Sequence, residues 1–345
     1  MTGEDNDLTD APPGPRVRGV FLSIGRKEAD GRMFSSPRLG YGLAISGGVL
    51  WAVAGACGQA LFRNNTVTPG WLVPIRLVLA GLLFLLLARL TMGPVLGQVW
   101  RDRRALGLLL VYALFGVATS QYTFYGAIQL ANVAFSTVMC YICPIFILLF
   151  TILRERRRPR FYEAAGVVLV VVGVFACATH FDLTRLSVSP AALVMGLLCA
   201  VSSAVNTLLP LSLMKKYGLL PTMGWGMLLG GGVMAALFRP WTVPAIVNSQ
   251  LIGFMAVIIL GGTVLAFSAY MRGVQLVGPV AGVVLSAVEP LTAVVLSVLV
   301  LKDSFTPADY FGFALILLTI PVISIGQQRE TKQTAAALEQ ERSAP

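Results

Sequence analysis

Two ionisable side chains lie inside apolar stretches of this chain, and either of them could do chemistry in a membrane. Glu289 lies near the middle of one stretch, directly before Pro290, and Arg76 lies about one turn inside another. A charge at the centre of a membrane helix costs about 2.5–3.5 kcal/mol on insertion scales, and protonation of a carboxylate removes that cost. Glu289 is therefore either a proton-coupling acid or a structural acid that binds backbone groups freed by Pro290.

Arg76 also has two interpretations. Its long side chain can extend toward the membrane surface and keep its charge in water, or it can hold an anionic group of a substrate. Polar and aromatic residues at helical spacing on other apolar stretches predict a cavity wall, although such stripes also serve as contacts between helices. The predicted lining consists of Trp51, Gln59, Arg76, Gln121, Tyr122, Tyr125, Tyr141 and Ser286.

Two prolines mark expected hinges in the helices that carry these side chains. Pro144 and Pro290 lie inside apolar stretches, and each removes one i→i−4 backbone hydrogen bond. The carbonyls that lose their partners can line a cavity, and the weakened helix can bend between two states.

Composition places the chain in a membrane. Hydrophobic residues make up 56% and charged residues only 12% of 345 positions, whereas soluble domains carry about 25% charged residues. The net charge of +10 lies in short loops and termini, which argues against nucleic-acid binding. No phosphate-binding loop or metal-ligand cluster occurs, and the five cysteines lie in apolar stretches, so we expect no cofactor, metal or structural disulfide.

A membrane span needs about 17 to 25 residues, and ten apolar stretches meet that requirement. They cover residues 41–62, 71–90, 105–125, 133–153, 163–179, 190–211, 222–238, 250–270, 280–301 and 310–326. If the N-terminus lies in the cytoplasm, cytoplasmic segments hold 21 of the 26 Lys and Arg residues and outer loops hold four. Because positive charge accumulates on the cytoplasmic side, this count predicts that both termini are cytoplasmic. Residues 1–40 are expected to form a disordered cytoplasmic tail, in which Met33 offers an alternative translation start. Residues 327–345 are expected to form a second cytoplasmic tail.

The two halves of the chain resemble each other at a nearly constant offset. A shift of 148 residues aligns the first span with the sixth, and a shift of 146 aligns Gln129 with Gln275, Pro144 with Pro290 and Gly166 with Gly312. Because each half holds five spans, the halves must cross the membrane in opposite directions. The sequence therefore predicts an all-α membrane protein with ten transmembrane helices in two inverted five-helix repeats, which is typical of secondary transporters.

These residues also resemble a known family. The segment 273–294, followed by 301–306 and 309–312, resembles the ninth and tenth helices of the drug/metabolite transporter superfamily, EamA type, and 131–144 resembles its first-half counterpart. The resemblance implies one EamA repeat in 41–179, a second in 190–326, and a central cavity between them. It also implies a secondary transporter of a small metabolite, most often an exporter of amino acids or related compounds.

From the residues alone, a passive channel or a lipid scramblase stays open, because sequence does not distinguish alternating access from an open path. An intramembrane enzyme is disfavoured, since His180 is the single histidine and Glu289 the single carboxylate well inside a predicted span. We expect a multi-pass protein of the cytoplasmic membrane whose partners are a small-molecule substrate and membrane lipids. Monomer and homodimer both fit the sequence.

Overall fold

The computed structural model describes residues 37–64, 67–156, 158–182, 186–277 and 279–343, and the part of the chain it describes forms helices and connecting turns. Met33 and most of the predicted N-terminal tail lie outside these residues. The helical spans are α1 (Pro37–Asn64), α2 (Pro69–Met92), α3 (Arg103–Leu130), α4 (Val133–Cys140 and Cys143–Glu155), α5 (Phe161–Thr179), α6 (Pro190–Leu208), α7 (Leu219–Phe238), α8 (Ser249–Ala256, Val257–Leu265 and Ala266–Val277), α9 (Pro279–Ser286 and Val288–Leu299) and α10 (Pro307–Ser343).

The ten predicted spans correspond one to one to these helices. Within the described ranges, nine helices are long and apolar enough to cross a membrane, and the stretch Val284–Leu299 of α9 is a shorter apolar helix. α1 begins at Pro37 instead of residue 41, consistent with the preference of proline for a first helical turn. α10 continues through Ser343, so the predicted tail after residue 326 is helical as far as that residue.

The outer surface of the bundle fits a lipid environment. Along α2, four exposed leucines recur at intervals of three and four residues and form one apolar stripe: Leu79, Leu82, Leu86 and Leu90. Water would penalise such a stripe, whereas hydrocarbon accepts it without cost. Helix starts in the connections are capped, since the side chains of Asn132, Ser189 and Asn248 each accept a hydrogen bond from a backbone N–H three residues later.

The helix contacts follow the internal repeat. α1 packs on α8 and α9, and its counterpart α6 packs on α3 and α4. Three further contacts pair equivalent helices: α2 with α7, α4 with α9, and α5 with α10. Each helix of one half therefore makes the same kind of contact with the other half as its counterpart makes in return, as expected for inverted repeats.

Glycines allow α2 and α7 to approach closely. A β-carbon on Gly81 would lie 2.7 Å from the backbone nitrogen of Leu228, and one on Gly231 would lie 2.8 Å from the backbone nitrogen of Val78. Since the opposing atoms belong to backbone, neither site has room for a side chain. This contact ties the halves together beside the polar interior.

Two helices of the bundle are interrupted at equivalent positions. α4 is interrupted by a turn at Tyr141 and Ile142, and α9 by a turn at Ala287. The residues Tyr141 and Ala287 each lie three positions before a proline, Pro144 or Pro290. The structure thus places a helix interruption beside each of the two predicted hinge prolines, while their movement remains a prediction.

Two other equivalent helices each contain a π-helical segment. It covers Tyr112–Ala118 in α3 and Val257–Leu265 in α8. Within or beside each segment, a threonine hydroxyl donates to a carbonyl five residues earlier: Thr119 to Leu114 at 2.8 Å, and Thr263 to Ile258 at 3.1 Å. π-Helical segments widen a helix locally and are frequent at functional sites.

Candidate functional site

Arg76 lies in the interior of the bundle and does not extend to the membrane surface. It is only 9% exposed. Its Nη1 atom donates to the side-chain oxygen of Gln121 at 2.5 Å and to the hydroxyl of Tyr125 at 3.1 Å. Its Nε and Nη2 atoms both donate to the hydroxyl oxygen of Thr263 at 3.3 Å. Helices α2, α3 and α8 therefore meet at this guanidinium, and α8 belongs to the other half of the chain.

Local structure explains why these partners converge. Gln121 and Tyr125 are four residues apart on α3, so they share one face of that helix. Thr263 lies in the π-helical segment of α8, and its own proton is directed to the Ile258 carbonyl. The hydroxyl oxygen of Thr263 is thereby left with its lone pairs available to accept from Arg76.

The electrostatic partners of Arg76 are all neutral. The ring of Tyr125, which is 1% exposed, lies with its centroid 5.2 Å from the guanidinium carbon and adds a cation–π contact. No carboxylate forms an ion pair with Arg76 in the described part of the chain. The site thus presents a buried positive charge that is hydrogen-bonded but not neutralised.

A second polar cluster lies where the interrupted helices α4 and α9 meet. The hydroxyl of Tyr141 is 2.8 Å from the Ser286 carbonyl and 3.2 Å from a carboxylate oxygen of Glu289. Pro290 lacks an N–H, so the carbonyl four residues before it, that of Ser286, has lost its helical partner. The single proton of Tyr141 therefore faces two acceptors, the freed carbonyl and the half-buried carboxylate.

Gln59 holds three segments together near one end of the bundle. Its amide nitrogen donates to Asp303 at 2.8 Å, and its oxygen accepts from the backbone nitrogen of Val133 at 2.6 Å. Arg63, one turn further along α1, forms an ion pair with Asp303 and donates to the Leu301 carbonyl at 2.6 Å. We call Gln59, Arg63 and Asp303 the end clamp, because they join the end of α1 to the segment between α9 and α10.

At the opposite end of the bundle, Asp102 joins the start of α3 to the segment after α6. Its side chain accepts from the backbone nitrogens of Arg104 and Ala105, from Lys216 at 2.8 Å and from the Tyr217 hydroxyl at 3.2 Å. The Lys216 ammonium, followed by the Ala105 N–H, holds the pKa of the Asp102 carboxyl well below its usual range.

The structure groups the predicted site residues into separate places. Arg76, Gln121 and Tyr125 form one cluster, and Tyr141, Ser286 and Glu289 form another. The other three predicted residues pack elsewhere: Gln59 in the end clamp, Trp51 against the ring of Tyr270 at 5.2 Å, and Tyr122 stacked on Phe238 at 4.8 Å. Their roles in a cavity wall remain predictions.

Sequence reasoning missed Thr263, Asp303 and Tyr270. A single threonine or tyrosine in an apolar span gives no signal of its own, and Asp303 stands out only as part of the segment 301–306 that resembles the family. Within the described ranges, no group of three His, Cys, Asp or Glu side chains is arranged to hold a metal ion, and the five cysteines are unpaired by disulfides.

The fold and the polar interior together define the class of protein: a multi-pass helical membrane transporter made of two copies of a five-helix unit. The model of the EamA-like transporter family matches residues 38–179 and 190–325. The chain therefore belongs to the EamA-like transporter family, and the resemblance to the drug/metabolite transporter superfamily is confirmed.

Relatives agree with this assignment. The chain is 32% identical over 298 residues to a protein named "uncharacterized inner membrane transporter YicL" of Salmonella typhimurium strain LT2, covering 86% of this chain and 99% of that one. It is 26% identical over 231 residues to "uncharacterized transporter YwfM" of Bacillus subtilis strain 168, and the match covers 66% of this chain and 77% of that protein. A crystal structure of a protein with 19% sequence identity superposes on this chain with a TM-score of 0.57. The match covers 84% of this chain and 98% of the chain in that structure, and it shows the fold alone.

Proposed function

We propose that the protein is a gradient-driven exporter that moves a small metabolite, an amino acid or a related compound, across the cytoplasmic membrane by alternating access. The observation that carries the proposal is the pair of equivalent interrupted helices. α4 and α9 come from different halves, pack on each other, and bring Tyr141 against Glu289. Interrupted helices at the interface of inverted repeats are where transporters bind substrates and coupling ions.

Alternating access needs contacts that close each end in turn. The distribution of Lys and Arg favours cytoplasmic termini. In that orientation the end clamp would lie on the outer side and the contact of Asp102 with Lys216 on the cytoplasmic side. In the state described by the structure, the end clamp joins α1 to the segment after α9. Release of substrate to the outside would require those contacts to separate while the halves rock about the interior site.

Other functions have less support. The chain lacks the G-x-x-x-x-G-K-[ST] nucleotide loop, so ATP would not drive transport by this chain itself. Glu289 has neither a histidine nor a second carboxylate among its hydrogen-bond partners in the described part of the chain, which gives little support to paired acid–base catalysis. The outward direction and the amino-acid class follow from the family resemblance.

Counterflow in proteoliposomes tests the proposal. Vesicles with purified protein are loaded with a mixture of amino acids and small metabolites, and exchange against an outside isotope-labelled pool is measured by mass spectrometry. We expect saturable exchange of a few compounds. Non-selective leakage would instead indicate a channel, accelerated lipid flip-flop without solute exchange would indicate a scramblase, and either result would contradict the proposal.

A further inference from the structure

The charge of Arg76 has no counter-charge in the part of the chain that the structure describes. Among the described residues, Arg76 is the only buried Lys or Arg. Removing a cation from water costs several kcal/mol, and neutral hydrogen-bond acceptors recover only part of that cost. A nearby carboxylate would recover more, yet Glu289 forms its hydrogen bond with Tyr141 and no ion pair with Arg76. The interior therefore has a positive charge that an anion would stabilise.

The hydrogen-bond geometry also leaves donor capacity at this guanidinium. Arginine carries five N–H groups, and the two on Nη2 share one long bond to Thr263, at 3.3 Å. One Nη2 N–H is thus without an acceptor among the described residues. Guanidinium and carboxylate groups match as planar, charged hydrogen-bonding partners. The orientation of the guanidinium is fixed by Gln121 and Tyr125, so little rotational freedom would be lost when an anion binds.

The burial of its partners indicates from which side the guanidinium is accessible. Tyr125 is almost fully buried, with its ring centroid 5.2 Å from the guanidinium carbon, whereas Gln121 is only half-buried. A ligand would therefore approach from the side of Gln121. One buried cation neutralises one negative charge, which favours a carboxylate over a doubly charged phosphate monoester.

We propose that Arg76 binds the carboxylate of the transported substrate, so that the transporter selects small metabolites bearing a single carboxylate. The inference rests on the proposed transport function and adds the chemical group that the interior recognises. Gln121, Tyr125 and Thr263 act as positioning residues that hold the guanidinium. An amino acid and a simple carboxylic acid share this group, and the experiment separates them.

The test uses matched compounds and matched variants. Counterflow is measured for phenylalanine, phenylpropionate and phenethylamine, and for leucine, isocaproate and isoamylamine. The proteins are wild type, Arg76→Gln, Arg76→Lys and the control Arg89→Gln, which removes the charge of an exposed arginine at the end of the same helix. Thermal unfolding of each purified protein, with and without each compound, reports folding and binding independently of transport.

We expect wild type and Arg89→Gln to exchange carboxylate-bearing compounds and to reject the amines. Arg76→Gln should raise the KM for those compounds by about 10- to 100-fold, as expected for the loss of hydrogen bonds to a charged group, and Arg76→Lys should fall between. Exchange of the amino acids alone would identify zwitterions, and exchange of the simple acids as well would identify monocarboxylates; both results support the inference.

The inference is overturned if wild type exchanges the amines as well as the acids, or if a folded Arg76→Gln protein keeps the wild-type preference for carboxylates. Failure of wild type to exchange these six compounds and every metabolite of the mixed pool would contradict the proposed function instead. In that case the unfolding measurements decide: carboxylates that stabilise wild type but not Arg76→Gln support the inference, and the absence of such a difference overturns it.

Discussion

Arg76 and Glu289 are ionisable residues of opposite sign inside the bundle, and the protein holds them in opposite ways. Three side chains from two other helices bind Arg76, whereas Tyr141 alone donates a hydrogen bond to the Glu289 side chain among the described residues. A group fixed by several hydrogen bonds is preorganised for a ligand. A carboxylate with one hydrogen bond, next to a helix interruption, can change protonation or partner at lower cost. The difference distinguishes a fixed binding group from a releasable one.

Apart from replacing Arg76 itself, the largest effect is expected from weakening the fixed group through Thr263→Val. The substitution keeps the shape of the side chain and leaves Nε and Nη2 of Arg76 without their acceptor. Because hydrogen bonds to charged groups are strong, we expect the KM for carboxylate substrates to rise about tenfold or more, together with a lower unfolding temperature. Counterflow and thermal unfolding measure both. The control is Thr292→Val, whose hydroxyl donates to its own helix at Val288, and equal effects of the two variants would contradict the assignment.

Glu289→Gln tests the releasable group. Glutamine keeps the shape and removes the charge, so exchange rates in acidic and alkaline buffers should agree within about twofold, because the titrating group has been lost. Thermal stability should be equal to or above that of wild type, since a half-buried charge inside the bundle is removed. A pH dependence like that of wild type would show that Glu289 is a structural acid and does not couple protons.

Asp102→Asn is the matched control for Glu289→Gln. The pKa of Asp102 lies below the usual carboxyl range because of Lys216. A lowered pKa means that the favourable contact exists at neutral pH and is lost only when the pH falls below that lowered value. Asp102 therefore stays charged in every buffer of the experiment, and its variant should keep the wild-type pH profile.

A smaller effect is expected from Tyr141→Phe, which removes a hydrogen-bond donor to Glu289 but leaves the carboxylate in place. The variant removes the hydroxyl shared by Glu289 and the Ser286 carbonyl. We expect exchange to slow by about 3- to 10-fold and the pH profile to shift without flattening. Tyr41→Phe, at an exposed tyrosine, is the control. A flattened profile would mean that Tyr141, and not the carboxylate, is the titrating group.

The smallest effect is expected at the end clamp. The side chain of Arg63 is 45% exposed and that of Asp303 is 9% exposed, so water reaches the ion pair from the arginine side and weakens it. Asp303→Asn should slightly destabilise the contact between α1 and the segment after α9 and change the exchange rate by no more than about twofold, with Lys302→Gln as the neighbouring control. Complete loss of exchange in Asp303→Asn would instead place the end clamp in the substrate path.

Local sequence features predicted the framework of the protein. Span length and the two prolines can be recognised within short stretches of the chain, and the 146-residue offset by comparing such stretches, so the ten helices and both interruptions could be located from sequence. They also put Arg76, Gln121 and Tyr125 among the predicted cavity residues, although the sequence left open whether Arg76 extends to the membrane surface.

Long-range partners could not be predicted in the same way. Thr263 meets Arg76 from 187 residues away, and Asp303 meets Gln59 from 244 residues away. Such pairs depend on which helices pack together and at which rotation, and neither is encoded in a local pattern. The π-helical segments were also missed, because an extra residue in a turn leaves hydropathy unchanged while it rotates the following side chains by about 100°.

Those two π-helical segments bear on the ancestry of the chain. Their first residues are offset by 145 positions and their last by 147, which brackets the offset between the halves. Two separate insertions would have had to occur at equivalent places, whereas a single insertion in a five-helix ancestor accounts for both. On this history the widened turn is older than the gene duplication, and both descendants have kept it although their surrounding side chains have diverged.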